Sequence, residues 1–469
     1  MADVTIDNYM YASFDTPWIG NPLVWASESN AYMFFLNYGT AKLVYRKTED
    51  GGATWGDQVP VGTEVECGTF SIWFDKWTPD DSGNKIHIVC IHCNQSTVNY
   101  NSLDTSDDSL SGEVVVYTGS GFYTTPHMLR SMSAITKSRA GNLYVGYWGT
   151  NNAAQAGFYK SENSGADWTA KTSMADGNDV DRIMFVPGNE TDSDDIWCIY
   201  DDISANEISL KVYDQSGNSW SETSIGASTE GNYFINFSCV QRHSDNHVLL
   251  AFWNAYNTAA ADLKFYDISS TVSITAKTDV LTDSDDSAIV CILLDQKSDD
   301  IYVGYLKGAA WGNSVGAHYK KSDDGGDTWE SETKFSENTD DDLKGMWAGV
   351  STGGNGASGK FQPVWFNDDL NDLFTNTNNG IPIELFVNQT VTVKSNIRNT
   401  TSFPRSITVK SNIRNTTSFP RSITAKGEHH AFVERFIGTT YKDEGNTTAY
   451  WDTTKPGIVR SPTQGEVLP

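Results

Sequence analysis

Positive charge is scarce in this 469-residue chain. Its 33 Lys and Arg stand against 60 Asp and Glu, a formal net charge of −27. A surface of that sign repels phosphate backbones, which argues against nucleic acid as a partner. Long apolar runs are missing too, since no stretch approaches the roughly 20 residues of a membrane helix. Met1-Ala-Asp-Val-Thr-Ile-Asp7 has neither the basic nor the apolar segment of a Sec leader. A soluble chain is expected. If it works outside a cell, it leaves by lysis or by a dedicated apparatus.

Cysteine is sparse and shows no framework of secreted-type disulfides. Cys90, Cys198, Cys239 and Cys291 sit in apolar strand-like runs, the setting of buried thiols. Cys90 and Cys93 have CxxC spacing, but an i, i+3 pair in a strand points to opposite faces, so no metal or redox use is expected. His87, His92, His243 and His247 lack metal spacing, and His429-His430 is an isolated pair. The acid excess lies mostly in loops, such as Asp80-Asp81, 192–195 and 340–342. Solvated turns account for it. No cofactor is expected; loop calcium is the alternative, although no run has a regular oxygen-ligand spacing.

Aromatics are plentiful (15 Trp, 21 Tyr, 21 Phe), and little of the chain reads as amphipathic helix, so an all-β fold is expected. Seven strand-like runs recur: Tyr32–Leu36, Ile86–Cys90, Leu143–Tyr147, Ile196–Tyr200, Val248–Phe252, Ile301–Tyr305 and Phe361–Trp365. The steps between their first residues are 54, 57, 53, 52, 53 and 60. A period in the fifties fits four short strands plus turns, one propeller blade. Seven blades are expected, with six as the alternative. Pro363 falls in the last run and suits an edge position. Residues 1–18 carry a short alternation (Val4, Ile6) that would add a closing outer strand.

A second repeat rides on the first. Thr48, Asp50, Gly52 and Trp55 recur in spacing as Ser161, Asn163, Gly165 and Trp168, and as Ser322, Asp324, Gly326 and Trp329. A worn copy keeps Gly217 and Trp220. An Asp or Asn accepts from turn N–H groups, Gly supplies a positive φ, and Trp folds back as an apolar plug. The pattern resembles the Asp-box, or BNR repeat, of sialidase-like β-propellers over residues 19–388. The resemblance implies a propeller with the box between the third and fourth strands of a blade, as a structural device and not an active site.

The sialidase members of that family need three arginines on the substrate carboxylate, a Tyr nucleophile with a Glu, and an Asp acid/base. They also carry a Phe-Arg-Ile-Pro type motif, where this chain reads Phe14-Asp-Thr-Pro17. The propeller region holds only Arg46, Arg130, Arg139, Arg182 and Arg242. Only Arg130 and Arg182 are expected near the functional face, too few for the triad, so catalysis is not expected. The loops after the recurring strands present Tyr38, Trp148, Trp253, Asn254, Trp311 and Asn367-Asp368. Rings beside amides suit sugar stacking and hydroxyl bonding. The competing reading for any single Trp is that it plugs a blade interface.

Residues 393–408 are repeated without change as 409–424, within a segment taken as 389–426, and residues 427–469 form a mixed tail. Ile407, Val409, Ser411 and Ile413 alternate with polar residues, a one-sided strand that Asn415–Pro420 breaks. Further strands are expected at Ala431–Ile437 and Thr447–Trp451. Two 16-residue units cannot bury a core alone. The segment is loosely similar to β-repeats of phage fibres, and it is locally basic (Lys394, Arg398, Arg405, Lys410, Arg414, Arg421 and Lys426). It is expected to dock on other virion subunits or on copies of the chain. The leading expectation is a non-enzymatic adhesion protein of a phage particle that binds host glycans. The alternatives are a glycan-processing hydrolase and an intracellular protein-interaction scaffold.

Overall fold

The computed structural model describes residues 3–8, 21–37, 39–62, 67–92, 95–119, 132–148, 156–174, 182–188, 193–228, 237–255, 261–284, 289–307, 316–336, 343–349, 351–352, 360–367, 370 and 372–376. Beyond these it describes the strands 381–382, 390–393, 407–410, 423–425, 440–443, 448–451, 459–460 and 467–468. The chain divides into two compact units, Met1–Ile381 and Pro382–Pro469.

The first unit is a seven-bladed β-propeller; each blade is built on four strands paired antiparallel, and three of the sheets carry a fifth, short strand. Blade 1 comprises Leu23–Trp25, Ala31–Leu36, Leu43–Thr48 and Val59–Pro60. Blade 2 comprises Cys67–Phe74, Lys85–His92, Thr97–Asp104 and Val114–Thr118. Blade 3 follows with Met132–Lys137, Leu143–Trp148, Ala156–Ser161 and Thr169–Ala170. Blade 4 has Arg182–Pro187, Ile196–Asp202, Glu207–Asp214 and Ser219–Ala227, and blade 5 has Phe237–Gln241, Val248–Trp253, Ala261–Ile268 and Ile274–Ala276. Blade 6 runs Val290–Asp295, Ile301–Lys307, Gly316–Ser322 and Thr333–Lys334. Blade 7 takes Leu343–Trp347, Val364–Asn367 and Asp372–Thr375, and its outermost strand is Val4–Asp7 from the start of the chain.

The recurring runs are the second strands, buried along their length because each sheet is covered by a blade on either side. The last run is displaced. Its strand begins at Val364 and not at Phe361, so Pro363 precedes the strand, where its missing N–H costs no ladder bond. First strands of neighbouring blades pack against one another, and Ser71, Trp73, Ala134, Ile183, Phe185 and Cys239 enclose one small cavity between them.

Ring closure joins distant parts of the chain. Val4 pairs with Thr375 and Thr5 with Phe374. Asp7, fully buried, then accepts from Arg46 Nε and Gln58 Nε2 of blade 1, both at 2.6 Å. One short strand thereby completes blade 7 and grips blade 1.

The cysteines require a correction. Cys67 and Cys90 form a disulfide, while Cys198, Cys239 and Cys291 are buried free thiols and Cys93 lies outside the described residues. Cys67 opens the first strand of blade 2 and follows a charged segment, so nothing in its spacing shows that it faces the second strand.

In the second unit, Thr390–Val393 pairs antiparallel with Ile407–Lys410. Ile423–Ala425, Thr440–Asp443, Thr448–Trp451, Val459–Arg460 and Val467–Leu468 form a five-stranded sheet in that order. The strand expected at 431–437 lies outside the described residues. Among the described residues, no helix is long and apolar enough to cross a membrane.

Candidate functional site

Antiparallel succession places the first-to-second and third-to-fourth turns on one face of the ring and the second-to-third turns on the other. The repeated turn belongs to the former. In blade 6, Ser322 ends the third strand; its hydroxyl donates to Asp324 Oδ1 at 2.8 Å and accepts from Gly326 N at 2.9 Å. Asp324 also accepts from Thr328 N at 2.9 Å and Thr328 Oγ1 at 2.6 Å. Blade 1 repeats every one of these bonds through Thr48, Asp50, Gly52 and Thr54. Blade 3 keeps the bonds of Ser161, Asn163 and Gly165 and the one from Asp167 N, but its last side-chain bond is reversed, Asn163 Nδ2 donating to Asp167 Oδ2 at 2.9 Å. Gly52, Gly165 and Gly326 have φ of +88°, +90° and +89°. These turns spend their polar groups on their own backbone. They are scaffold.

On the opposite face, Tyr38, Arg130, Trp311 and Asp368 lie outside the described residues. The expectation of displayed rings is corrected at Trp148 and Trp253. Both end second strands and both are fully buried, Trp253 donating from Nε1 to Ile289 O at 3.3 Å. As large apolar side chains at the ends of internal strands, they pack the blades. Asn254 is half-buried and holds the second-to-third turn of blade 5, accepting from Asp262 N at 2.8 Å. Asn367 is fully buried.

Arg182 begins blade 4 directly across from Asp201, and the two side chains form a buried ion pair. Burial raises the Asp201 carboxyl above its ordinary range in spite of the Arg182 charge. The guanidinium is engaged inside the blade, which corrects the expectation that it approaches a ligand.

Sequence reasoning missed what surrounds this pair. Asp202 ends the second strand, Glu207 begins the third, and Glu222 lies on the outermost strand; each offers an oxygen within 4.8 Å of the others. Alternation places Tyr200, Asp202, Glu207, Ser209, Lys211, Glu222 and Ser224 on one face of the sheet. That face looks toward blade 3, because Lys211 Nζ donates to Met174 O at 2.7 Å. Tyr200 OH donates to Glu222, Ser209 and Ser224 donate to Glu207, and Ser204 donates to Asp202. Lys211 lies 4.5 Å from the Tyr200 ring centroid and 3.8 Å from Glu222. Three carboxylates so held accept hydrogen bonds from hydroxyls and are hard oxygen donors for a cation such as Ca2+.

No family model and no curated protein matches this sequence. Among solved structures, the chain is similar to a PL25 ulvan lyase, a polysaccharide lyase bound to -[GlcA(1-4)Rha3S]-. The identity is 11%, over 80% of this chain and 94% of that one, with a TM-score of 0.52. The NanB sialidase of Streptococcus pneumoniae aligns at 12% identity over 66% of this chain and 67% of that one, with a TM-score of 0.43. The Aleuria aurantia lectin AAL aligns at 13% over 68% and 98%, with a TM-score of 0.39. At these identities the likeness to the lyase is one of fold.

Proposed function

We propose that this chain is a non-enzymatic glycan-binding propeller, an adhesion protein of a phage-type particle attached through residues 382–469. One observation carries the reading. Each described arginine of the propeller is matched by aspartate: Arg46 by Asp7, Arg139 by Asp80, Arg182 by Asp201, and Arg242 by Asp245 and Asp267. An acidic sugar would meet a protein of net charge −27 whose described guanidinium groups are already engaged. Neutral, hydroxyl-rich glycans fit better, with Asp202, Glu207 and Glu222 as acceptors. The ulvan lyase is bound to -[GlcA(1-4)Rha3S]-, an anionic saccharide, so it supports saccharide binding by a protein of this fold, while the preference for neutral glycans rests on the engaged arginines alone. The unaltered 16-residue duplication and its basic residues supply the argument for attachment to an assembly.

The test is a glycan array probed with the labelled full chain, alongside product analysis on sialosides and polysaccharides. Saturable binding to neutral glycans, weakened by Asp202→Asn with Glu207→Gln and unaccompanied by cleavage, supports the proposal. Turnover would replace it with a glycan-processing hydrolase. Absence of any glycan binding, with capture of a cellular protein, would leave the scaffold reading. Solution mass of the full chain addresses attachment separately: a trimer or larger oligomer supports self-assembly, and a monomer restricts attachment to a different subunit.

A further inference from the structure

We infer that Cys67, Cys90, His92 and Glu113 form a site for a soft divalent cation of the zinc class when the Cys67–Cys90 bond is reduced. The topology gathers these groups. Cys67 lies directly across from His92 on the first two strands of blade 2, and Cys90 precedes His92 by two residues, so all three side chains share one face of the sheet. The two cysteines have Cα atoms 6.1 Å apart. Glu113, leading into the outermost strand, places Oε1 3.3 Å from His92 Nε2.

A second observation points to a missing partner. His92 is buried, and neither ring nitrogen makes a hydrogen bond; the Glu113 contact has an ion-pair distance without hydrogen-bond geometry. Asn99 Oδ1 is likewise buried without a partner. Cys90, His92, Asn99 and Glu113 line one small cavity, closed on its far side by Leu43, Val61 and Gly62 of blade 1. Buried polar atoms left unpaired beside a cavity call for an occupant. Two thiolates, an imidazole and a carboxylate are a tetrahedral zinc set, softer than the all-oxygen cluster of blade 4.

The chemistry balances with a dithiol as reductant. It delivers two electrons and two protons to the Cys67–Cys90 bond, becomes a disulfide itself and leaves two thiols. Zn2+ then binds both sulfurs as thiolates, and two protons pass to solvent. Oxidised and reduced chains thus hold the first two strands of blade 2 in different ways, by a covalent bond and by a metal that also takes in Glu113.

The test uses the full chain, reduced with dithiothreitol, freed of reductant and titrated with Co2+ under argon. A thiolate-to-cobalt charge-transfer band in the reduced chain is expected, displaced by Zn2+ and absent from the oxidised chain. Cys67→Ser abolishes the band, His92→Gln weakens it, and Cys239→Ser retains it. Near-ultraviolet circular dichroism checks folding of each variant, and wild-type uptake with the band is decisive where a variant does not fold. A bond that resists reduction in the folded chain, a reduced chain that takes up no cobalt, or a band unaltered in Cys67→Ser would each overturn the inference.

Discussion

The indole N–H of Trp329 donates to the carbonyl of Thr278 at 2.9 Å, although the first belongs to blade 6 and the second follows the outermost strand of blade 5. Its ring meets Phe265 of blade 5 edge to face, with centroids 5.1 Å apart. Trp168 of blade 3 meets Tyr100 of blade 2 in the same manner, and Trp220 of blade 4 meets Phe158 of blade 3 while donating to Thr172 O. The tryptophan of the repeated turn therefore joins its own blade to the preceding one.

Trp329→Ala should lower the stability of the propeller by roughly 2 kcal/mol, less than a fully buried Trp because this ring is half-exposed. Trp329→Phe should recover part of that through the Phe265 contact, though not the bond to Thr278. Urea unfolding of the three proteins measures both, and equal midpoints for wild type and Trp329→Ala would show that the ring does not couple the blades.

Gly326→Ala should cost more than Gly141→Ala. Both residues have φ near +89°, so each substitution carries the left-handed strain of roughly 1 kcal/mol. Only at Gly326 would the new Cβ fall 2.5 Å from Phe265 of the preceding blade; at Gly141 it meets open space. Thermal midpoints of the two variants decide the order.

Asp7→Ala should loosen the closure of the ring. It leaves Arg46 Nε and Gln58 Nε2 without their shared acceptor, a loss of roughly 2–3 kcal/mol for a buried charge-assisted pair. Amide hydrogen exchange should accelerate at Val4–Asp7 and Asp372–Thr375 before it does in blades 3 to 5. Uniform acceleration in all blades would instead mark a general loss of stability.

Asp295, at the end of the innermost strand of blade 6, should make the protein less stable at pH 7 than at pH 4. Burial raises its carboxyl from 3.8 to about 6, against the opposing bonds from Lys297 N and Ser298. Between those values the folded chain holds the proton and the unfolded chain does not, so stability falls as pH rises through the window, by up to roughly 3 kcal/mol. Asp295→Asn should remove this slope and raise the thermal midpoint at pH 7. A variant with an unchanged pH profile would assign the slope to other groups.

The period in the fifties made the blades legible, because four strands and their turns occupy a fixed length wherever they recur. The seventh run was read three residues early: Phe361 and Val364 are equally apolar, and only the pairing of Val364 with Thr375 chooses between them. Trp148 and Trp253 stay open between display and plugging a blade interface, because a tryptophan ending a strand reads the same in either case; their burial decides for plugging. Asp202, Glu207 and Glu222 escaped notice among 60 acidic residues, since their convergence depends on cross-strand register.

The sequence by itself determined the all-β class, the blade period and the self-bonded turns, because these depend on contacts within a few residues or within one repeat. The tertiary structure decided that seven blades close through Val4–Asp7, that Arg182 is spent on Asp201, and that Cys67 and Cys90 meet beside His92. Those outcomes join residues on different strands or at opposite ends of the chain, and proximity of that kind is set by how the sheets pair and pack.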